Sequence, residues 1–423
     1  MSNGLVIAAP ASGSGKTTIT LGILHALAQT GLAVRGAKSG PDYIDPRFHE
    51  AACGAPCLNL DAWAMSPARI RSLAAGPGLL VVEGAMGLFD GAPPAGKGAT
   101  ADIARILNAP VVLVVDAASM AQSVAALVSG FARHDPLINV AGIILNKIGS
   151  PRHETMLRNA LTPLGIPVIG AVPRQSNLTH PSRHLGLVQA GEHPDLQAFL
   201  TSAGQIISQT VDLDALTKLA KPLPPADTLT PTKAPARRIA VARDAAFAFS
   251  YPHLLDDWRK AGAEITYFSP LANQAPPAAE LIFLPGGYPE LHAKTLASAD
   301  KFHTGMQNAA QSATIYGECG GYMVLGRGLT DAQGTRHEML GLLDLETSFA
   351  QRKLHLGYRD LTPLGGPFVG PLKAHEFHYA TTLHAAGNPL FHAADAQGNE
   401  LGKTGLTQGN VSGSFAHLID LGF

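Results

Sequence analysis

Cysteine is scarce in this 423-residue chain, with Cys53, Cys57 and Cys319 the full set. An odd, sparse set excludes a disulfide framework and suits a reducing compartment. Cys53 and Cys57 have no second ligand pair at zinc spacing, so they read as buried thiols rather than metal ligands. An excess of one charge is equally missing, since 31 Lys and Arg stand against 32 Asp and Glu. No global field then recruits nucleic acid or an anionic membrane, and an anionic ligand has to be met by local groups. Long apolar runs are absent too. None reaches membrane-spanning length, and Leu5 to Pro10 breaks into a Gly/Ser loop with no cleavage site. A cytoplasmic location is the expectation.

What the chain does have is short apolar segments, at Leu5 to Ala9, Leu79 to Glu83, Pro110 to Asp116, Val140 to Asn146 and Pro167 to Val172. Helix-length stretches separate them, which predicts a parallel sheet covered on both faces. The length exceeds one ordinary core, so a boundary is expected. The proline-loaded stretch Lys221 to Arg237 (KPLPPADTLTPTKAPAR) reads as an extended linker between domains over 1–220 and 238–423. Beyond it a second alternating pattern runs through Arg238 to Ala242, Ile265 to Ser269, Leu281 to Pro285 and Thr314 to Gly317, then becomes less regular.

The first chemical constellation is Ala9 to Thr18, APASGSGKTT, between a strand and a helix starting near Gly15. Small residues at Ser12, Gly13, Ser14 and Gly15 expose backbone N–H groups to phosphate oxygens, and the helix start adds favourable partial charge. Lys16 then reaches the β- and γ-phosphates, Thr17 ligates magnesium, and Thr18 continues the cradle. Pro10 replaces the first glycine of the usual pattern, but the strand-loop-helix context stands. Ala11 occupies the place of the second lysine found in partition-type ATPases, which argues against a sandwich-dimer switch. Glu83 ends an apolar strand in VVEGAMGLFDG, where a carboxylate can hold magnesium or its water. Asn146 and Lys147 resemble the start of a guanine-reading motif, but Gly149 stands where the aspartate belongs, so ATP is favoured over GTP.

The second constellation is Thr314 to Gly326, TIYGECGGYMVLG. A cysteine on a sharp strand-to-helix turn is a candidate nucleophile, because the helix start favours its thiolate and flanking glycines prevent crowding. Cys319 takes that role, with His417 of GSFAHLI as its base. The N–H of Gly320, with those of the Pro285-Gly286-Gly287 loop, is placed to stabilise an oxyanion.

Together these motifs resemble the cobyrinic or hydrogenobyrinic acid a,c-diamide synthase family over essentially the whole chain. The resemblance rests also on KSGPDYIDPRFH (Lys38 to His49), RHLGLV (Arg183 to Val188), AFAFSYP (Ala246 to Pro252), PGGYPEL (Pro285 to Leu291) and HEFHY (His375 to Tyr379). It implies a P-loop domain with a doubly wound parallel sheet, like dethiobiotin synthetase, followed by a class I glutamine amidotransferase-like α/β domain. The implied reaction uses ATP and Mg2+ to phosphorylate a corrinoid carboxylate, which ammonia released from L-glutamine at Cys319 and His417 then converts to a carboxamide. Asp45 joins Thr17 and Glu83 at the metal. Asp42, Tyr43 and Asp45 lie between phosphate and corrinoid, while Lys38 and Arg47 pair with the acceptor's other carboxylates. A homodimer is expected by analogy. The chain departs from the class I triad, since Ile419 stands two residues after His417 where a glutamate is usual, and Asp420 follows. Cobyric acid synthase and nickel-sirohydrochlorin a,c-diamide synthase are neighbouring readings. A non-catalytic P-loop ATPase switch is a reading of another class, which predicts ATP binding without glutamine consumption.

Overall fold

The computed structural model describes residues 2–174, 189–192, 194–229 and 233–421, with the backbone alone of 182–183 and 186–187. The side chains of the RHLGLV stretch therefore lie outside the described residues. The chain divides into two compact units, Met1–Leu229 and Thr230–Phe423.

In the first unit seven strands form one parallel sheet: β1 (Asn3–Ala8), β2 (Val34–Ser39), β3 (Leu58–Leu60), β4 (Leu79–Glu83), β5 (Val111–Asp116), β6 (Val140–Ile148) and β7 (Val168–Pro173). Their order is β3-β2-β4-β1-β5-β6-β7. The apolar runs become its central strands because Leu5, Val6, Ile7, Val81, Val82 and Val112 are fully buried, as a sheet covered on both faces requires. Helix α1 (Lys16–Gln29) covers one face beneath α3 (Leu196–Thr210), with α2 (Asp45–Cys53) beside it. A Cβ on Gly22 would lie 2.5 Å from Ile207 Cγ1 and 2.8 Å from Ala203 O, so glycine sets how closely α1 and α3 approach. Leu21, Ile23 and Leu24 are fully buried on α1, each stabilising by roughly 1.5–3 kcal/mol relative to exposure.

The proline-rich stretch differs from a plain linker at its start. Lys221–Pro222 form a short strand, β8, antiparallel to β1, and Leu223 is buried against Gly4. Pairing through Lys221 and an apolar plug at Leu223 outweigh the proline content locally.

The second unit opens with β9 (Arg238–Ala242), β10 (Glu264–Phe268), β11 (Leu281–Leu284) and β12 (Thr314–Glu318), and returns to the same sheet at β17 (Leu406–Gln408) and β18 (Val411–Ser414). The order is β10-β9-β11-β12-β18-β17, parallel apart from β17 against β18. The less regular C-terminal sequence folds into antiparallel strands. A five-stranded sheet contains β13 (His355–Pro363), β14 (Leu372–His378), β15 (Phe391–Ala394), β16 (Glu400–Thr404) and β19 (Ala416–Leu421), in the order β16-β15-β13-β14-β19. Alternation divides the parallel sheet cleanly. Ala240, Ile282, Leu284 and Ile315 pack towards the short helix α4 (Gly320–Leu325), while Ile239, Val241, Phe283 and Tyr316 pack with Leu361, Leu372 and Leu418 of the antiparallel sheet.

Candidate active site

Between β1 and α1 the chain turns through Gly13 and Gly15, both at φ 81°. That left-handed conformation suits glycine, and a Cβ at Gly15 would also lie 2.2 Å from Asn146 Nδ2. Asn146, near the end of β6, donates to Ser14 O at 2.9 Å, while Ser14 Oγ donates to Ala11 O at 2.8 Å. The loop is thereby pinned from its own chain and from β6. It borders a cavity of about 590 Å³ lined by Gly13, Lys16, Thr17, Thr18, Asn146 and Lys147 among others. Lys147, also at positive φ, donates to Gly13 O and Asp116 Oδ2.

Beside this loop sits a buried charge cluster. Glu83, fully buried at the end of β4, accepts from Thr17 Oγ1 at 2.6 Å and from Lys38 Nζ at 2.8 Å on Oε1, while His49 Nε2 lies 2.6 Å from Oε2. Lys38 also donates to Asp45 Oδ2 at 2.5 Å and lies 3.8 Å from Asp42 Oδ2. Burial opposes the Lys38 charge, yet Asp45 and Glu83 hold its ammonium above the ordinary range. Burial likewise works against ionised Glu83, but Lys38 and His49 hold the carboxyl well below its usual range. Asp42 is pushed up to about 7 by burial and by Asp45. Its Oδ1 accepts the N–H groups of Ile44 and Asp45 at the start of α2, and Asn59 Nδ2 holds the loop through Gly40 O and Asp42 O. Burial lowers Lys16, with Glu83 pulling the other way.

In the second unit Cys319 joins β12 to α4 at φ 45° and ψ −102°, a strained turn that lifts one side chain out of the strand-to-helix junction. Its N–H donates to Ser414 O at 2.8 Å, which ties the elbow to the end of β18, three residues before His417. His417 lies on β19, opposite His375 of β14. Glycines make room for this meeting. A Cβ on Gly286 would lie 2.1 Å from His417 Cε1, and one on Gly320 would lie 3.0 Å from Gly287 N, so the two backbones expected to offer oxyanion donors pack directly together. Phe249 N–H donates to Gly286 O at 2.9 Å, attaching the AFAFSYP stretch to the same loop.

Electrostatically this site is dominated by burial. Burial, then the charges of Glu290 and Glu376, push the Cys319 thiol up, and burial with His375 and His378 lowers His417 to about 3. Burial thus favours the neutral thiol and the neutral imidazole. Glu290 and Glu318 are each raised to about 8 by burial, and Glu290 Oε2 is buried without a hydrogen-bond partner.

The comparisons with known proteins fit this division. Residues 5–188 match the family described as the CobQ/CobB/MinD/ParA nucleotide binding domain, and residues 238–422 match the CobB/CobQ-like glutamine amidotransferase domain. A protein of Brucella suis biovar 1 named hydrogenobyrinate a,c-diamide synthase is 56% identical over 429 residues, covering 99% of this chain and 98% of its own. Proteins of the same name from Rhizobium meliloti and Rhodobacter capsulatus are 54% and 52% identical, with coverage of 99% and 98% of both chains respectively. The chain belongs to the hydrogenobyrinate a,c-diamide synthase family.

As a member of that family the chain is a glutamine-hydrolysing ligase, its first unit carrying the nucleotide-binding domain and its second the amidotransferase domain. The structure brings Lys16, Thr17, Glu83, Asp45, Asp42 and Lys38 into one place. Lys38, expected at the acceptor, has its buried ammonium among the carboxylates of Asp42, Asp45 and Glu83. Arg47 pairs with Glu50 on its own helix at 2.7 Å, and Tyr43 is buried in the same loop. Cys57 is buried with its Sγ 3.4 Å from His49 Nδ1, so His49 bridges a thiol and the Glu83 carboxylate. Sequence reasoning quoted His49 within KSGPDYIDPRFH but gave it no role. It also passed over Glu318, whose signal is an acid immediately before the nucleophile.

The oxygen donors of Thr17, Glu83 and Asp45 suit a hard divalent cation, and Asp45 Oδ1 is buried with no hydrogen-bond partner. No helix among the described residues is long and apolar enough to cross a membrane.

Proposed function

We propose that this chain converts the a and c side-chain carboxylates of hydrogenobyrinic acid to carboxamides in cobalamin biosynthesis, using ATP and L-glutamine, and that it acts in the cytoplasm as a homodimer. The observation that carries the reading is the pairing, within one chain, of a phosphate loop whose Thr17 hydroxyl meets buried Glu83 with a strained Cys319 elbow tied to the strand end before His417. The full-length similarity to relatives named for this reaction supports it.

A carboxylate does not exchange with ammonia, so the first unit has to activate it. The loop from Ser12 to Thr18 cradles the ATP phosphates, Lys16 neutralises charge on the γ-phosphate, and Asn146 keeps the loop in its ligand-ready shape. Thr17, Glu83 and Asp45 would hold magnesium, which would supply further charge neutralisation at the phosphates. Asp42, Tyr43 and Arg47 face the acceptor. The carboxylate oxygen takes the γ-phosphoryl group and ADP leaves. Ammonia then attacks the acyl carbon and phosphate departs.

In the second unit His417 takes the Cys319 proton as sulfur attacks the glutamine side-chain amide, and the N–H groups of Gly287 and Gly320 receive the developing oxyanion. His417 returns the proton to the departing ammonia, leaving a thioester that water cleaves to glutamate and free thiol.

The test is mass spectrometry of hydrogenobyrinic acid and its cobalt complex, each incubated with the protein, ATP, Mg2+ and glutamine. Two successive conversions of carboxyl to carboxamide on the metal-free ring are expected. Absence of amidation on both rings overturns the proposal, and amidation confined to the cobalt complex overturns its substrate. A single species at twice the chain mass in sedimentation checks the dimer.

A further inference from the structure

We infer that Glu318, the residue immediately before the nucleophile, orients His417 and balances its charge, taking the place of the acid that Ile419 does not provide. The inference rests on the reading of Cys319 and His417 given above.

The geometry follows from strand order. Glu318 ends β12 opposite Ser414 of β18, and the chain then passes into β19, which carries His417 and Leu418. The carboxylate thereby meets two consecutive residues of β19. Its Oε1 accepts the Leu418 N–H at 3.1 Å, and its Oε2 lies 3.8 Å from His417 Nδ1. The backbone bond fixes where the carboxylate sits while its other oxygen faces the ring. Asp420, the nearer acid in sequence, accepts the Leu421 N–H of its own strand.

A carboxylate at Nδ1 selects the tautomer whose Nε2 is free to take the thiol proton, and it stabilises the imidazolium that results. At 3.8 Å the contact is longer than a hydrogen bond and has to shorten by about 1 Å as the imidazolium forms. The site around it is otherwise poorly suited to a cation. His375 and His378 oppose a charge on His417, with Glu376 and a Phe249 backbone hydrogen bond favouring it. Glu318 itself is buried beside Tyr316, and burial carries its ionisation to about 8, within reach of a rate measurement.

The test compares Glu318→Gln, which keeps the shape and the acceptor for Leu418, with Glu318→Asp, in the full-length enzyme. Cys319 is labelled with 6-diazo-5-oxo-L-norleucine, a glutamine analogue that alkylates the attacking sulfur, and labelling is followed by mass spectrometry. This readout needs neither ATP nor tetrapyrrole, so it stands apart from the identity of the acceptor. For Glu318→Gln we expect labelling and glutamine-driven kcat to fall about 10²-fold, less than the roughly 10⁴-fold seen when a triad acid is neutralised, because Phe249 still holds the ring. KM for glutamine and amidation driven by added ammonia should hold. The rise in rate across the region of pH 8 should disappear, and Glu318→Asp should restore part of the rate. Native labelling in Glu318→Gln overturns the inference. So does a matching loss of ammonia-driven amidation, which marks a structural role, or a change in KM alone. Slowed labelling in a chain that amidates no tetrapyrrole leaves this inference standing and removes the proposed acceptor.

Discussion

The two sites treat buried charge in opposite ways. At the phosphate loop Lys38 and Glu83 sit within hydrogen-bonding distance of partners, and those partners favour both charges despite burial. At the cysteine elbow burial dominates, and Cys319, His417, Glu290 and Glu318 are all driven towards their neutral forms. The difference matches the chemistry asked of each. Phosphoryl transfer needs electrostatics organised before the anion arrives. Glutamine hydrolysis needs a thiolate only once glutamine is bound, and burial of Cys319 and His417 favours the neutral forms of both.

The largest effects should separate the two units. Cys319→Ala is expected to abolish glutamine-driven amidation, by roughly 10⁴-fold or more as for loss of any covalent nucleophile, while ammonia-driven amidation persists. Lys16→Ala is expected to abolish both. Steady-state rates with glutamine and with ammonium chloride decide it, and a Cys319→Ala enzyme that still uses glutamine breaks the division of labour.

Next in size is the removal of a charge from the ion-paired cluster. Lys38→Met leaves Glu83, Asp45 and Asp42 facing one another without their shared cation, with Glu83 fully buried. Breaking a buried pair from one side costs about 3–5 kcal/mol, so the first unit should unfold at markedly lower urea. Denaturation followed at Trp63 measures it. A Lys38→Met protein of native stability would show that the cluster is not what holds the loop.

Much of this was legible in the sequence because it depends on local pattern. The central strands follow from uninterrupted apolar runs, and the phosphate loop and cysteine elbow follow from glycines between a strand and a helix. What was not legible depends on strands far apart in the chain. Val34–Ser39 carries Gly36, Lys38 and Ser39 and lacks the apolar density that marked its neighbours. Glu318 meets Leu418 a hundred residues away, and only the β12–β18 register brings them together. Lys38 and Arg47 look alike as basic residues near a phosphate loop, yet one is enclosed by acids and the other lies along a helix flank. The strands after Leu340 carry too little periodicity to be placed from sequence, since several bury almost nothing: Thr381–Ala386 is exposed at all but its first residue, and Glu400–Thr404 has no buried residue.

A pH experiment sharpens the contrast from the other side. Glu290 is raised from 4.5 to about 8 by burial. A carboxyl whose folded value lies above its unfolded one contributes stability that is complete below pH 4.5 and is lost as pH rises through about 8. Glu290→Gln removes that loss, so its stability relative to native should increase by a few kcal/mol between acid and mildly alkaline pH. Urea midpoints followed at Trp258, in a Trp63→Phe background, test this. The opposite slope would mean that Glu290 is ionised and paired, as in the first unit.

The smallest effect belongs to Arg47. Its pair with Glu50 is an i, i+3 contact on a partly exposed helix flank, of a kind worth about 0.2–0.5 kcal/mol. Arg47→Ala should therefore leave stability almost unchanged. If Arg47 faces the acceptor, the same substitution raises KM for the tetrapyrrole without altering KM for ATP or glutamine, since only one anion loses its partner. An unchanged tetrapyrrole KM assigns Arg47 to the helix surface alone and leaves Asp42 and Tyr43 as the proposed acceptor contacts. Arg47 is half-buried with its guanidinium on Glu50 of its own helix, so contact with a ligand anion would exchange one weak pair for another.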